Sequence, residues 1–280
     1  MIGSNMPIIL FVVEGENREI DIFRNIERVF FKGKNEILPI FIPASMNIYM
    51  LYCKLKEDNF ETDVVELLRE SNDEIAKMLK NHKRQDFAEV YYFFDFDEHG
   101  NNVPKKLKLS NAEILNEMLR VFDNETEEGK LYISYPMIEA VRDYKHNDCG
   151  AISGSCFRNR IDFGNYKRDS SSTKENNDIK NYDFINWKNS AFNFICRVGC
   201  LFNTRTITKE YYEKNIFPLS IFAKELILYN TKAEIFNLSA LPEFLLDYFS
   251  NFWNSAIGRR KELPLNDDCF QKNERNISKD

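Results

Sequence analysis

Residues 7–15, PIILFVVEG, decide how the first half of this chain is read. From Ile8 to Val13 the side chains are all apolar and many are β-branched, with no polar residue at alternate positions. Such a run needs cover on both faces, as a central strand of a parallel sheet has. It stops abruptly at Glu14-Gly15. Downstream, Ile20, Phe23, Ile26 and Phe30 recur at spacings of three and four among charges, which predicts an amphipathic helix ending near Lys32-Gly33. ILPIFI (37–42) predicts a second strand, and Pro39 places it at a sheet edge or puts Pro39 near the strand start. Helical spacing follows at Ile48, Leu51, Tyr52 and Leu55, then in VVELLRE (64–70) and EIAKMLKNHK (74–83). VYYFFDF (90–96) is a third strand that ends in acid. Ser110 and Glu113 form a capping box that opens a helix with Ile114, Met118 and Val121 inward. KLYISYP (130–136) is the fourth strand and leads into MIEAVRDY (137–144), read as a helix. Strands alternating with helices imply an α/β fold with a Rossmann-like, mostly parallel four-stranded sheet.

The pattern changes near residue 146, so two domains are expected: an α/β domain over 1–145 and a mainly helical one over 146–280. GNYKRDSSSTKENNDIKNYD (164–183) is polar, serine-rich and without apolar period, which predicts a flexible loop. FINWKNSAFNFICRVGCL (184–201) and three later stretches have helical period.

Of the 280 residues, 43% are hydrophobic and 14% aromatic, which supports a packed core and excludes wholesale disorder. No apolar stretch approaches the roughly 20 residues of a membrane span, and the start has no basic n-region, so a cytoplasmic location is expected. Six cysteines are too sparse for a disulfide scaffold and are expected as free thiols. Cys196 and Cys200 lie one turn apart in an apolar stripe, which favours buried thiols over a zinc site. Neither nucleotide-cradling glycine motif is present. The net charge of -6 is uneven: residues 1–145 hold 19 basic and 27 acidic side chains, the remainder 19 and 17. An acidic first half argues against a general polyanion binder and confines any nucleic acid to a local patch or a metal-bridged site.

Ligands of open parallel sheets collect outside the carboxyl ends of the strands. Glu14 directly follows the first strand, and Asp95-Phe96-Asp97 ends the third. Strand alternation would send Asp95 and Asp97 to the same side, where they can share a hard cation. Carboxylates gathered at one sheet edge repel each other unless a cation sits among them, and Mg²⁺ or Mn²⁺ suits all-oxygen ligands.

These residues resemble a family. VVEGENREIDIF (12–23), with Glu14-Gly15 after a strand, and FFDFDEHG (93–100), fitting D-x-D-x-x-G through Asp95, Asp97 and Gly100, resemble the two motifs of the Toprim domain. The likeness covers about residues 7–145 and is greatest to the overcoming-lysogenization-defect, RloB-like and abortive-infection effectors of phage defence. YPMIEAVRDY (135–144) resembles an acidic motif of those effectors and maps onto Glu139. The resemblance implies a Toprim-like sheet and Mg²⁺- or Mn²⁺-dependent cleavage of phosphodiester bonds in DNA or RNA, tRNA included. Asp95 and Asp97 would ligate metal, Glu14 would ligate a second metal or act as general base, and Glu139 would assist. It also implies an ABC-type ATPase partner of the overcoming-lysogenization-defect kind, with self-association open beside it.

Basic residues available to a nucleic-acid backbone are Lys105, Lys106 and Lys108, Arg158 and Arg160, Lys167 and Arg168, with Arg259 and Arg260 further on. A solvated loop face explains the three lysines equally well. His99 reads as a solvated turn residue. Two other functions remain open. One is a phosphatase of the haloacid-dehalogenase type with Asp95 as nucleophile, although two strands precede that motif and Glu14 would have no task. The other is a non-catalytic module whose motif residues are packed and whose aromatic helical half docks on a partner.

Overall fold

The computed structural model describes residues 7–15, 18–31, 38–44, 46–96, 108–143, 158–160, 165–166, 178–204, 206–258 and 262–264. The chain divides into two compact units, Met1–Tyr132 and Ile133–Asp280. The first has strand β1 (Ile8–Val13), helix α1 (Arg18–Ile26) continuing as a π-helical turn (Glu27–Phe31), β2 (Leu38–Pro43), and helices α2 (Ile48–Lys56), α3 (Val64–Ser71) and α4 (Asp73–Met78). These are followed by β3 (Phe87–Asp95), α5 (Asn111–Val121), β4 (Asp123–Asn124) and β5 (Gly129–Ser134).

The strands form one sheet in the order β2-β1-β3-β5-β4. β1 runs parallel to both β2 and β3, with Val13 opposite Pro43 and Phe93, and β4 pairs antiparallel with β5. The α/β class and mostly parallel sheet agree with the sequence reading, but the sheet has five strands, not four. The extra one is only Asp123–Asn124, held by the hairpin to β5, and has no apolar residue to announce it. β2 is an edge strand, where the missing N–H of Pro39 is tolerated. β1 is central and buried from Ile9 to Val13, as its unbroken apolar run requires.

One face of the sheet is aromatic. Phe11 packs against Phe23 of α1 at 5.5 Å, Phe41 at 5.4 Å and Tyr91 at 5.6 Å, while Phe93 meets Phe23 at 4.6 Å and stacks on Tyr132 at 5.4 Å. Each such pair adds about 0.5–1.5 kcal/mol beyond its area, so this layer fixes how α1 lies on the strands. At the start of β5, Gly129 has φ +115, and a Cβ there would come 2.3 Å from the Tyr92 ring. The predicted capping box closes α5: Ser110 Oγ accepts from Glu113 N–H at 3.3 Å and the Glu113 carboxylate accepts from Ser110 N–H at 2.8 Å. Ile114 and Met118 are buried, together with Leu115 and Leu119, while Val121 is half-buried.

The second unit surrounds helix α6 (Phe184–Leu201), which is buried on nearly every side from Trp187 to Cys200. Around it lie α7 (Lys209–Asn215), α8 (Pro218–Lys232), α9 (Ala240–Tyr248) and α10 (Phe252–Ile257). Two short antiparallel pairs complete it, β6 (Arg158–Arg160) with β8 (Glu234–Phe236) and β7 (Thr206–Thr208) with β9 (Glu262–Pro264). The stretch MIEAVRDY, expected as a helix, holds a 3₁₀ helical turn at Ile138–Arg142. Its apolar spacing of three suits either geometry. Within the stretch read as a flexible loop, Tyr166, Ile179 and Tyr182 are buried. No helix among the described residues is long and apolar enough to cross a membrane.

Candidate active site at the carboxyl edge of the sheet

The chain leaves β1 for β2 on one side and later returns past β1 to form β3 on the other. The crevice between the carboxyl ends of β1 and β3 is therefore the topological switch point, where open α/β sheets of this strand order bind ligands. Glu14 and Asp95 stand there. Parallel register brings the two strand ends level, and Glu14 N–H donates to the Phe93 carbonyl at 3.2 Å, extending the ladder by one bond. The Glu14 side chain then turns onto the neighbouring strand, where Oε2 accepts from Asp95 N–H at 3.0 Å. The Glu14 carboxylate thus reaches the backbone of Asp95, 81 residues away in sequence, and both residues are half-buried. The exit of β2 is tied to the same edge through Ala44 N–H, which donates to the Val13 carbonyl at 2.6 Å.

Gly15 is explained by space. The Glu19 carboxylate, in the first turn of α1, accepts from Gly15 N–H, and a Cβ on Gly15 would lie 2.8 Å from Glu19 Oε1. Sequence reading missed Glu19. Its only signal is an acid in the first helical turn, which ordinary helix-dipole complementarity already accounts for.

Asp97, His99, Gly100, Lys105 and Lys106 lie outside the described residues, as do Lys167, Arg168, Arg259 and Arg260. Lys108 is exposed, with φ 52, just before the cap of α5. Arg158 and Arg160 are backbone partners of Phe236 and Glu234 in the second unit. Glu139 is on the 3₁₀ turn of the second unit and its side chain is buried. Cys196 and Cys200 are buried free thiols on α6, and Cys53 is a half-buried one on α2. Among the described residues no group of three His, Cys, Asp or Glu is placed to hold a metal ion. Glu14 and Asp95 supply hard carboxylate oxygens, the ligand type that Mg²⁺ and Mn²⁺ take, but they are two and a full site needs more.

The second unit has its own polar centre around Asp143. One of its carboxylate oxygens accepts from Tyr166 O–H at 2.5 Å and from Asn237 Nδ2 at 2.6 Å. Burial pushes the Asp143 carboxyl up, while Tyr166, the Arg197 charge and Asn237 pull it back down. A small cleft beside Arg197, Ser190 and Ser239 has room for about one water. This is too small for a substrate.

No model of a known family, no characterised protein and no solved structure matches this chain.

Proposed function

We propose that the chain is a divalent-metal-dependent phosphodiesterase of Toprim type that cuts nucleic acid in the cytoplasm, as a phage-defence effector controlled by a partner. The observation that carries this reading is the meeting of Glu14 with Asp95 at the β1/β3 switch point, Oε2 to N–H at 3.0 Å. Both acids lie where a ligand of this sheet order would bind, and they are the first residues of the two motifs that resemble the Toprim pair.

In this reading Asp95 and Asp97 hold Mg²⁺ or Mn²⁺, and Glu14 holds a second ion or takes a proton from the attacking water. The metal, when bound, lowers the pKa of its water and neutralises charge on the scissile phosphate. The chain's own residues set the position of the acids. The N–H of Asp95 fixes one Glu14 oxygen at the switch point, and Gly15 lets Glu19 close over the backbone behind it. Glu139 assists. Lys105, Lys106, Lys108, Arg158, Arg160, Lys167 and Arg168 attract the phosphate backbone at longer range.

The test is a mixture of plasmid, single-stranded DNA and tRNA incubated with Mg²⁺ or Mn²⁺. Wild type should cut at least one component, and Glu14→Ala and Asp95→Ala should cut none. Equal cutting by all three proteins would refute the proposal.

A second reading is favoured by one observation: the Glu14 carboxylate already has a structural task in accepting the Asp95 N–H. On that reading the edge is a packed, non-catalytic one, and the protein docks on an ATPase partner. Absence of Mg²⁺ or Mn²⁺ binding at millimolar concentration would select it.

A further inference from the structure

The sheet of the first unit ends at β2, in a strand suited to template another. Leu38–Pro43 is six residues long, pairs with β1 without a break in register, and contains no charged residue. It stands at the end of the strand order, and residues 39, 40, 41 and 43 keep part of their surface exposed. Such an edge invites pairing with a second chain, and proteins blunt it with charges, bulges, short strands, a cover or proline. At the opposite end β4 is blunted by its length, two residues, and by the charge of Asp123. β2 has neither device.

What it has is two prolines, and the ladder shows where they point. In a parallel pair the backbone groups of alternate residues turn to the same neighbour. Ala44 N–H donates to the Val13 carbonyl at 2.6 Å. Counting back by twos, Ile42, Ile40 and Leu38 therefore turn their backbone groups onto β1, and Pro39, Phe41 and Pro43 turn theirs outward. Of the outward residues only Phe41 has an N–H to offer, because proline has none. The placement costs the sheet nothing. A proline at 38, 40 or 42 would delete a bond to β1, whereas at 39 and 43 it deletes none. Each proline also holds the residue before it, Leu38 or Ile42, in extended backbone, as pairing with β1 requires. The Phe41 side chain meanwhile serves the core, with its ring 5.4 Å from Phe11 and 5.9 Å from Phe23. The face of β2 packs on the sheet's aromatic layer, and its outer edge is stripped of donors.

We infer that Pro39 and Pro43 close the β2 edge to a second copy of this chain, so that self-association, which the sequence leaves open, does not run through the sheet. This guard is independent of any chemistry at the switch point.

The test is Pro39→Val together with Pro43→Val in the full chain, which returns two N–H donors to the edge and replaces each ring with a strand-forming side chain. Sedimentation velocity over a concentration series reads the mass, hydrogen exchange reads the amides of positions 39, 41 and 43, and far-ultraviolet circular dichroism reads the fold. Whatever the wild type's own state of assembly, the double variant is expected to double its mass as concentration rises, and the three amides to exchange more slowly in step. The wild-type Phe41 amide should exchange at one rate at every concentration. Each single variant restores one donor and should associate more weakly than the double one. A double variant that sediments as wild type does would overturn the inference, because the edge would then be closed by its surroundings and not by the prolines. Association that leaves the three amides unprotected would overturn it too, since it would run through another surface. So would a wild-type Phe41 amide that becomes protected as concentration rises. If the double variant does not fold, the single variants decide by the same readouts.

Discussion

Glu225 lies on α8 with no exposed surface; among the described residues its carboxyl group accepts only from Phe236 N–H, to Oε2 at 3.1 Å, and Oε1 is buried without a hydrogen-bond partner. Burial pushes this carboxyl well above the ordinary glutamate range, and the Phe236 N–H offsets only part of the effect. The folded protein therefore keeps a proton that the unfolded chain releases above about pH 4.3. Stability from this group is full below that pH and declines as pH rises toward the folded-state value, by about 1.4 kcal/mol per pH unit. Glutamine has the same shape, can accept from Phe236 N–H, and carries no proton to lose. Glu225→Gln should therefore gain on wild type as pH rises from 5 to 7, by at most about 1.4 kcal/mol per pH unit. Urea unfolding followed by tryptophan fluorescence suits the measurement, because both tryptophans, Trp187 and Trp253, are buried in the second unit and report it alone. A difference between the two proteins that stays constant from pH 5 to pH 7 would refute the reasoning, since Glu225 would then titrate alike in the folded and unfolded chains.

Gly129→Ala should cost about 2 kcal/mol or more in urea unfolding followed by far-ultraviolet circular dichroism. A Cβ would meet the Tyr92 ring at 2.3 Å, and φ +115 is a conformation that L-residues rarely adopt; a neutral result would show that the ring moves freely. On the α2–α5 surface, Glu117 accepts from Tyr52 O–H and from Lys56 Nζ, each at 2.6 Å. Burial would raise the Glu117 carboxyl, but Lys56 and Tyr52 outweigh it and hold it below the usual glutamate range. Its stabilisation is present above about pH 4.3 and fades as pH falls through the lower folded-state value. Glu117→Gln should cost about 0.5–1 kcal/mol at pH 7 for this part-exposed pair and less as pH falls below about 4.3, and a cost that does not change with pH would contradict the ion-pair account. At the sheet edge, Glu14→Ala should lose about 1–2 kcal/mol because the Asp95 N–H loses its acceptor, whereas Glu14→Gln should stay within about 0.5 kcal/mol of wild type. Equal stability of the two variants would show that the 3.0 Å hydrogen bond contributes nothing.

The parts of this fold that were legible share a physical reason. β1 and β3 are buried on both faces, so their sequences are continuous apolar runs that stop at Glu14 and Asp95, and the stops mark the carboxyl ends where the acids belong. Strand order was not legible. Alternating strands and helices are compatible with several orders, and only the fold shows that β3 lies directly beside β1 and brings Glu14 onto Asp95. β4 was missed because two residues held by a hairpin need no apolar pattern. That Ile138–Arg142 is helical was legible, but a spacing of three does not separate a 3₁₀ helix from an α-helix. Tyr166 was read as loop because its neighbours in sequence are polar, while its burial depends on Asp143, 23 residues away, and that carboxyl is held in turn by Asn237.

Titration of the purified chain with Mn²⁺ by calorimetry, beside Glu14→Gln and Asp95→Asn, tests the switch-point account most directly. Both substitutions keep the shape of the side chain and remove its charge. The account predicts that wild type binds Mn²⁺ and gains about 2.7 kcal/mol of stability at a hundredfold excess over Kd, while both variants stay folded and lose binding. A wild type without binding at millimolar Mn²⁺, or variants that bind as wild type does, would contradict it.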